Sequence, residues 1–175
     1  MNEPLVRLLI KCGAESIEHP GGNLLSHLKR VSALLEGWAA RPAMLAAGLG
    51  HAFYGTDGFP TALMDVSDRA RVREVMGEEA EAIVYRYAAC DRKFTYPGLA
   101  EDDGPFRDRF TGAIDVPTPE QRRDFVELTV ANELDLLIAN PEMRIRYGDA
   151  LDGLFTRCRE LLSERGWLAV RQVMR

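Results

Sequence analysis

Histidine is scarce in this chain of 175 residues: His19, His27 and His51 are all it has. Cysteine is as scarce, and Cys12, Cys90 and Cys158 are odd in number, far apart and in no CxxC pair. That excludes a disulfide framework and a four-cysteine zinc site, leaving free thiols of a reducing compartment packed as small apolar groups. No run approaches the ~20 apolar residues of a membrane-spanning helix, and Met1-Asn2-Glu3-Pro4 lacks the basic, apolar opening of a secretory signal. A cytoplasmic protein is expected. Basic residues do not dominate: 22 Lys and Arg stand against 27 Asp and Glu, a net charge of −5, with the two signs interspersed. A nucleic-acid surface is therefore not expected. Arg69-Ala70-Arg71-Val72-Arg73 is too short and mixed to make one and reads as a solvated face. Gly21-Gly22 lacks the strand and lysine of a phosphate-binding loop. There are no internal repeats, no low-complexity tails and no alternation long enough for a sheet.

What is present is helical periodicity. With 46% hydrophobic residues, the chain can close one core as a single domain over residues 1–175. Leu5 to Cys12 reads as a short helix stopped at Gly13. Asn23 is placed to cap a second, on which Leu24, His27, Val31, Leu34 and Trp38 share a stripe. Pro42 opens a third, where Met44, Ala47, Gly48 and His51 share a face whose small residues admit a close neighbour. Ser67 is the expected cap of a fourth, ending at Met76-Gly77, and a fifth runs from about Glu78 to Cys90. Between Asp91 and Pro117 the pattern fails, although Phe94, Tyr96, Phe106 and Phe110 argue for packing over disorder. Thr118-Pro119-Glu120-Gln121 is a capping-box start for a helix with Phe125, Leu128, Thr129, Asn132 and Leu136 on one face. Asn140-Pro141 ends it, and helices over Ile145–Glu164 and Trp167–Met174 finish an all-α chain.

Three polar groups thus point into an apolar interior: His27, His51 and Asn132. Burying such groups costs free energy unless they have partners, so they are either hydrogen-bonded core residues or the floor of a site. His19, on a glycine-flanked loop, suits general acid–base work, since histidine exchanges protons near neutrality. Tyr54 could donate to an oxyanion or simply pack. Asp91-Arg92-Lys93 is either a solvated helix end or the carrier of an arginine that grips an anion.

The order of motifs over roughly residues 19–140 resembles the HD superfamily of helical metal-dependent phosphohydrolases, most of all its alarmone-hydrolysing branch. His27 and His51 match that family's two histidines, Val75-Met76-Gly77-Glu78-Glu79-Ala80 a middle helix junction, and Leu128 to Asp135 a late helix. The chain also resembles an uncharacterised bacterial group of HD-like proteins in His19, His27-Leu28 and His51 to Thr56. The resemblance implies a helical HD-type domain, with residues 141–175 as C-terminal helices. Its departures are specific: Ala52 stands where the family has the Asp of its His-Asp doublet, and Asn132 where it has a late metal-binding Asp. Gly55 and Thr56 replace an acidic pair, with Asp57 the nearest carboxylate. The charged ligands that offset a cation's desolvation are gone, so alarmone hydrolysis and a two-metal centre are not expected.

Two classes of function follow. One is a small-molecule enzyme: His19, His27, His51 and Tyr54 as acid–base groups, with Asn132, Arg92 and Asp91 holding substrate, in an isomerisation, elimination or cyclisation. Its variant is a mononuclear hydrolase or oxygenase with Mn, Fe, Ni, Co or Zn on His27 and His51, completed by His19, Asp57, Asp91 or Glu133. The other is a degenerate domain that binds a small ligand and signals its presence. Whether a cofactor is bound, and whether the chain forms homo-oligomers, the sequence leaves open.

Overall fold

Asparagine and threonine side chains set several of the helix starts. In the computed structural model, which describes residues 2–175, α1 spans Glu3–Lys11 from a cap at Asn2. The helix α2 spans Leu24–Gly37, and the Asn23 side chain accepts from Ser26 N at 2.9 Å. Pro42 opens α3 (Pro42–Gly50), as its fixed φ favours at a first turn. Small residues then let α3 press onto α2: a β-carbon at Gly48 would stand 2.6 Å from Leu35 Cδ1 and 3.3 Å from Ser32 Cα. Two further helices, α4 (Arg69–Met76) and α5 (Glu78–Ala89), meet at Gly77, whose φ of +88° a side chain would resist. A short α6 (Arg92–Thr95) follows. The fold is completed by α7 (Pro119–Ala139), α8 (Pro141–Arg157) and α9 (Glu164–Val173). The protein is all-α, and one continuous apolar core joins the helices.

The capping box at Thr118 and Gln121 is complete, satisfying two backbone donors that would otherwise be unpaired. It opens the central helix. Arg122 and every residue from Asp124 to Asp135 on α7 are buried, so this helix is enclosed rather than packed along one stripe. Its polar side chains are therefore tied to partners. Arg122 donates to Leu99 O and Asp102 O, and Asp124 receives Arg41 through two contacts of 2.6 and 2.7 Å. Glu127 accepts from the Ser163 backbone and hydroxyl, and Thr129 donates to Phe125 O. This satisfies the rule that enclosed polar groups find hydrogen bonds.

Several local expectations are corrected. Ser67 does not cap α4: Asp65 caps a single 3-10 turn, Val66–Asp68, by accepting from Ser67 N, and α4 continues from it. Residues 91–117 are not patternless. They hold α6, a 3-10 turn at Tyr96–Gly98 and a small hairpin of β3 (Phe106–Arg107) with β4 (Ile114–Asp115). Phe106 packs edge-on against Phe125 of α7, ring centroids 5.8 Å apart. A second hairpin pairs β1 (Glu18–His19) with β2 (Gly22–Asn23), so His19 sits on a two-residue strand rather than a free loop. Asn140 both ends α7 and caps α8, its side chain accepting from Glu142 N and Met143 N, which starts α8 earlier than periodicity indicates. Ala70, Arg71 and Arg73 are exposed, as expected of a solvated face, but Arg69 and Arg73 also reach from it to the buried carboxylate of Glu81. Among the described residues, no helix is long and apolar enough to cross a membrane.

Candidate functional site

A cavity of about 670 Å³ lies between α2, the end of α3, the loop after it, α6, α7 and α8. Its floor is polar. His27 descends from α2, His51 from the end of α3, and Asn132 from α7. His19 stacks on His27, with centroids 4.1 Å apart and planes inclined by 29°. Helix α8 supplies an apolar wall of Met143, Tyr147, Ala150, Leu151 and Leu154.

The histidines are held by their Nδ1 atoms. His27 Nδ1 donates to Asp135 Oδ2 at 2.7 Å, and Arg30 grips the same carboxylate through Nε at 2.7 Å and Nη2 at 2.9 Å. Burial raises the Asp135 carboxyl, but the hydrogen bonds from His27 and Arg30 outweigh it and hold the group below its usual pKa. His51 Nδ1 donates to Gly48 O at 2.8 Å, one turn back on α3. Both Nε2 atoms then face inward. They stand 3.3 Å apart, and Asn132 Oδ1 is 3.1 Å from His27 Nε2. The amide orientation follows from Asn132 Nδ2, which donates to Glu133 Oε1 at 3.3 Å. With both rings neutral, three acceptors would converge and none could donate. One proton shared between the facing Nε2 atoms resolves the conflict.

Burial, helped by the nearby His27, pushes His51 down to about 3, so His51 is a neutral acceptor near pH 7. The same two causes push His19 down to about 4. His19 Nδ1 and the Tyr96 hydroxyl are buried and have no hydrogen-bond partner among the described residues. Both residues line the cavity.

The structure brings together most of the residues singled out in the sequence. His19, His27, His51, Asn132 and Arg92 all line the cavity. Tyr54 does not: its hydroxyl turns to Glu81 at 2.9 Å, inside the cluster of Glu81, Arg69 and Arg73. The reason is local, since the buried Glu81 needs every donor within reach. Asp91 also stands off the cavity. It caps α6 by accepting from Phe94 N and receives Arg107, so it serves the backbone rather than a ligand. Asp57, weighed as a metal ligand, accepts from Arg92 N at 3.0 Å and ties the loop after α3 to α6. Among the described residues, no three His, Cys, Asp or Glu side chains are grouped to hold a metal. His27 Nε2, His51 Nε2 and Asn132 Oδ1 do converge as a cation would require, but all three are neutral.

Sequence reading missed Asp135 and Arg30. Each was accessible: Asp135 lies three residues after Asn132 on α7, and Arg30 three after His27 on α2, spacings that share a helix face. It also missed the wall of α8 and the Tyr96 hydroxyl, for which no local signal exists.

Compared with known proteins, the chain is similar over residues 8–92, just under half its length, to a family described as a domain of unknown function (DUF6817). No curated protein and no solved structure matches it. The matched stretch carries His19, His27, His51 and Arg92, whereas Asn132 and Asp135, which complete the floor, lie beyond it.

Proposed function

We propose that the protein is a small-molecule enzyme using acid–base chemistry at the floor of this cavity. The observation that carries the reading is the facing pair of Nε2 atoms 3.3 Å apart with both Nδ1 protons committed elsewhere. A group held over Asn132 meets a proton donor and a proton acceptor within one hydrogen-bond length of each other. His27, charge-balanced by Asp135, gives the proton, and neutral His51 takes one back. Asn132 orients the reacting group through its amide. Isomerisation, elimination and cyclisation are the reactions such a pair serves without an external nucleophile. The resemblance of the motif order to HD-type hydrolases supports the same cavity as the working site, with hydrolytic carboxylates exchanged for Ala52 and Asn132.

The test is incubation of the protein with a cell metabolite extract in deuterated water, read by mass spectrometry. A metabolite converted or deuterated by the wild type, but not by His27→Gln or His51→Gln, is the expected outcome. If every metabolite stays unchanged, the reading gives way to a non-catalytic ligand-binding domain.

The same three acceptors favour a second reading, in which His27 Nε2, His51 Nε2 and Asn132 Oδ1 hold one divalent cation such as Mn, Fe, Ni, Co or Zn. A bound cation would supply Lewis acidity in place of the shared proton. Metal analysis separates the two. Stoichiometric metal in gently purified protein, lost in the His27→Ala/His51→Ala double variant, selects this reading over the first.

A further inference from the structure

The cavity has a charge of its own. Arg92, Lys93 and Arg157 line it, with Glu133 as the sole carboxylate among the described residues, in a chain whose net charge is −5. Lys93 and Arg157 form no salt bridge within the described residues. Arg92 differs from the arginines that hold the fold together. Arg30, Arg41 and Arg69 each grip a carboxylate through two contacts between 2.6 and 2.9 Å. Arg92 has one contact of 3.3 Å to Glu133 and one of 3.5 Å to the Tyr87 hydroxyl, at the edge of hydrogen-bonding range. Among the described residues, the rest of its N–H fork has no acceptor.

Beside it stands a second unpaired donor. The Tyr96 ring lies 5.8 Å from the Arg92 guanidinium carbon, and its buried hydroxyl has no protein partner. A buried tyrosine hydroxyl is ordinarily hydrogen-bonded, and this one has no partner among the described residues. The loop after α3 is built to leave room there: a β-carbon at Gly58 would stand 3.0 Å from Arg92 Nη1. The opposite wall, on α8, offers chiefly apolar carbon.

We infer that the cavity takes a small organic anion with an apolar body, its charged oxygen received by the Arg92 guanidinium and the Tyr96 hydroxyl and its body lying along α8. Lys93 and Arg157 add a positive rim. Glu133 opposes the anion only weakly, because it is shared between Arg92 and Asn132 Nδ2. The inference rests on the acid–base reading for the identity of the cavity as the ligand site, and it makes Tyr96 a binding residue of that site. It does not require the histidines to turn the ligand over.

Two fluorescent probes of one shape test it: anilinonaphthalene sulfonate, and phenylnaphthylamine, the same ring system without the sulfonate. The sulfonate should bind at a single site at least about tenfold more tightly than the neutral dye. Arg92→Met should weaken the sulfonate by about 10- to 100-fold and Tyr96→Phe by about 2- to 10-fold. Neither should change binding of the neutral dye, which reports that the cavity is intact. Ala150→Trp, filling the α8 side, should abolish both. Equal affinity for the two dyes overturns the inference, as does sulfonate binding that Arg92→Met and Tyr96→Phe leave unchanged, or that survives Ala150→Trp. Failure of both dyes to bind overturns it too. His27→Gln separates the two readings: it should leave sulfonate affinity within about threefold, whatever it does to turnover.

Discussion

His27 and His51 face each other through Nε2 atoms 3.3 Å apart, each ring having already given its Nδ1 proton to another acceptor, Asp135 or Gly48 O. The pair is stable only with a proton, a cation or a ligand donor between the rings. Nitrogen-15 spectra of the imidazoles in metal-free protein should show His51 as the neutral Nδ1–H tautomer from pH 5 to 8. A His51 signal of the Nε2–H tautomer would falsify this arrangement.

Asp135 is the keystone of the floor, since it alone joins His27 to Arg30. Asp135→Asn keeps its shape but removes the charge, leaving the Arg30 guanidinium uncompensated and the His27 Nδ1 contact weakened. The expected loss is about 3 kcal/mol, the lower end for breaking a buried pair because Arg30 retains access to water. Urea denaturation at pH 7 measures it. A change within experimental error would mean that the carboxylate is not what holds His27.

Acid should destabilise the protein through the histidines before it reaches the carboxylates. His51 and His19 are pushed down from 6.5 to about 3 and about 4 in the folded chain. The unfolded chain therefore binds protons first, and stability that is full above pH 6.5 falls as pH drops toward those values. For His51 the slope is about 1.4 kcal/mol per pH unit. Below that range the lowered carboxyls of Asp135 and Glu81 act in the same direction. In protein treated with chelator, His51→Gln should flatten the dependence of the urea midpoint between pH 6.5 and 4. An unchanged slope would show that His51 already carries its proton in the folded state.

Tyr54 belongs to the clamp between α4 and α5, not to the cavity. Tyr54→Phe should cost about 1–2 kcal/mol, because Glu81 keeps both contacts from Arg69. It should leave binding of either dye unchanged. Loss of binding without loss of stability would return Tyr54 to the site.

Much of this was legible in one dimension. A helix start is a local event, so Asn23, Pro42 and the Thr118–Gln121 box marked their helices from neighbouring residues alone. The inward direction of His27, His51 and Asn132 followed from the 3.6-residue period, and all three are buried. Where a local signal was ambiguous the reading slipped: Ser67 and Asp65 are both competent caps two residues apart, and only the path of the chain chose between them.

The sequence by itself determined the all-α class, the helix that carries each inward polar residue, and the absence of any framework of paired cysteines. The tertiary structure alone decided which polar groups meet. His27 lies 108 residues from Asp135 and 24 from His51, and no periodicity relates positions on different helices. It also decided that Tyr54 would serve Glu81 and that Tyr96 would be left without a partner, because such pairings depend on how closely whole helices approach. Helix formation is settled within a turn or two, whereas the chemistry of a site is settled by packing across the core.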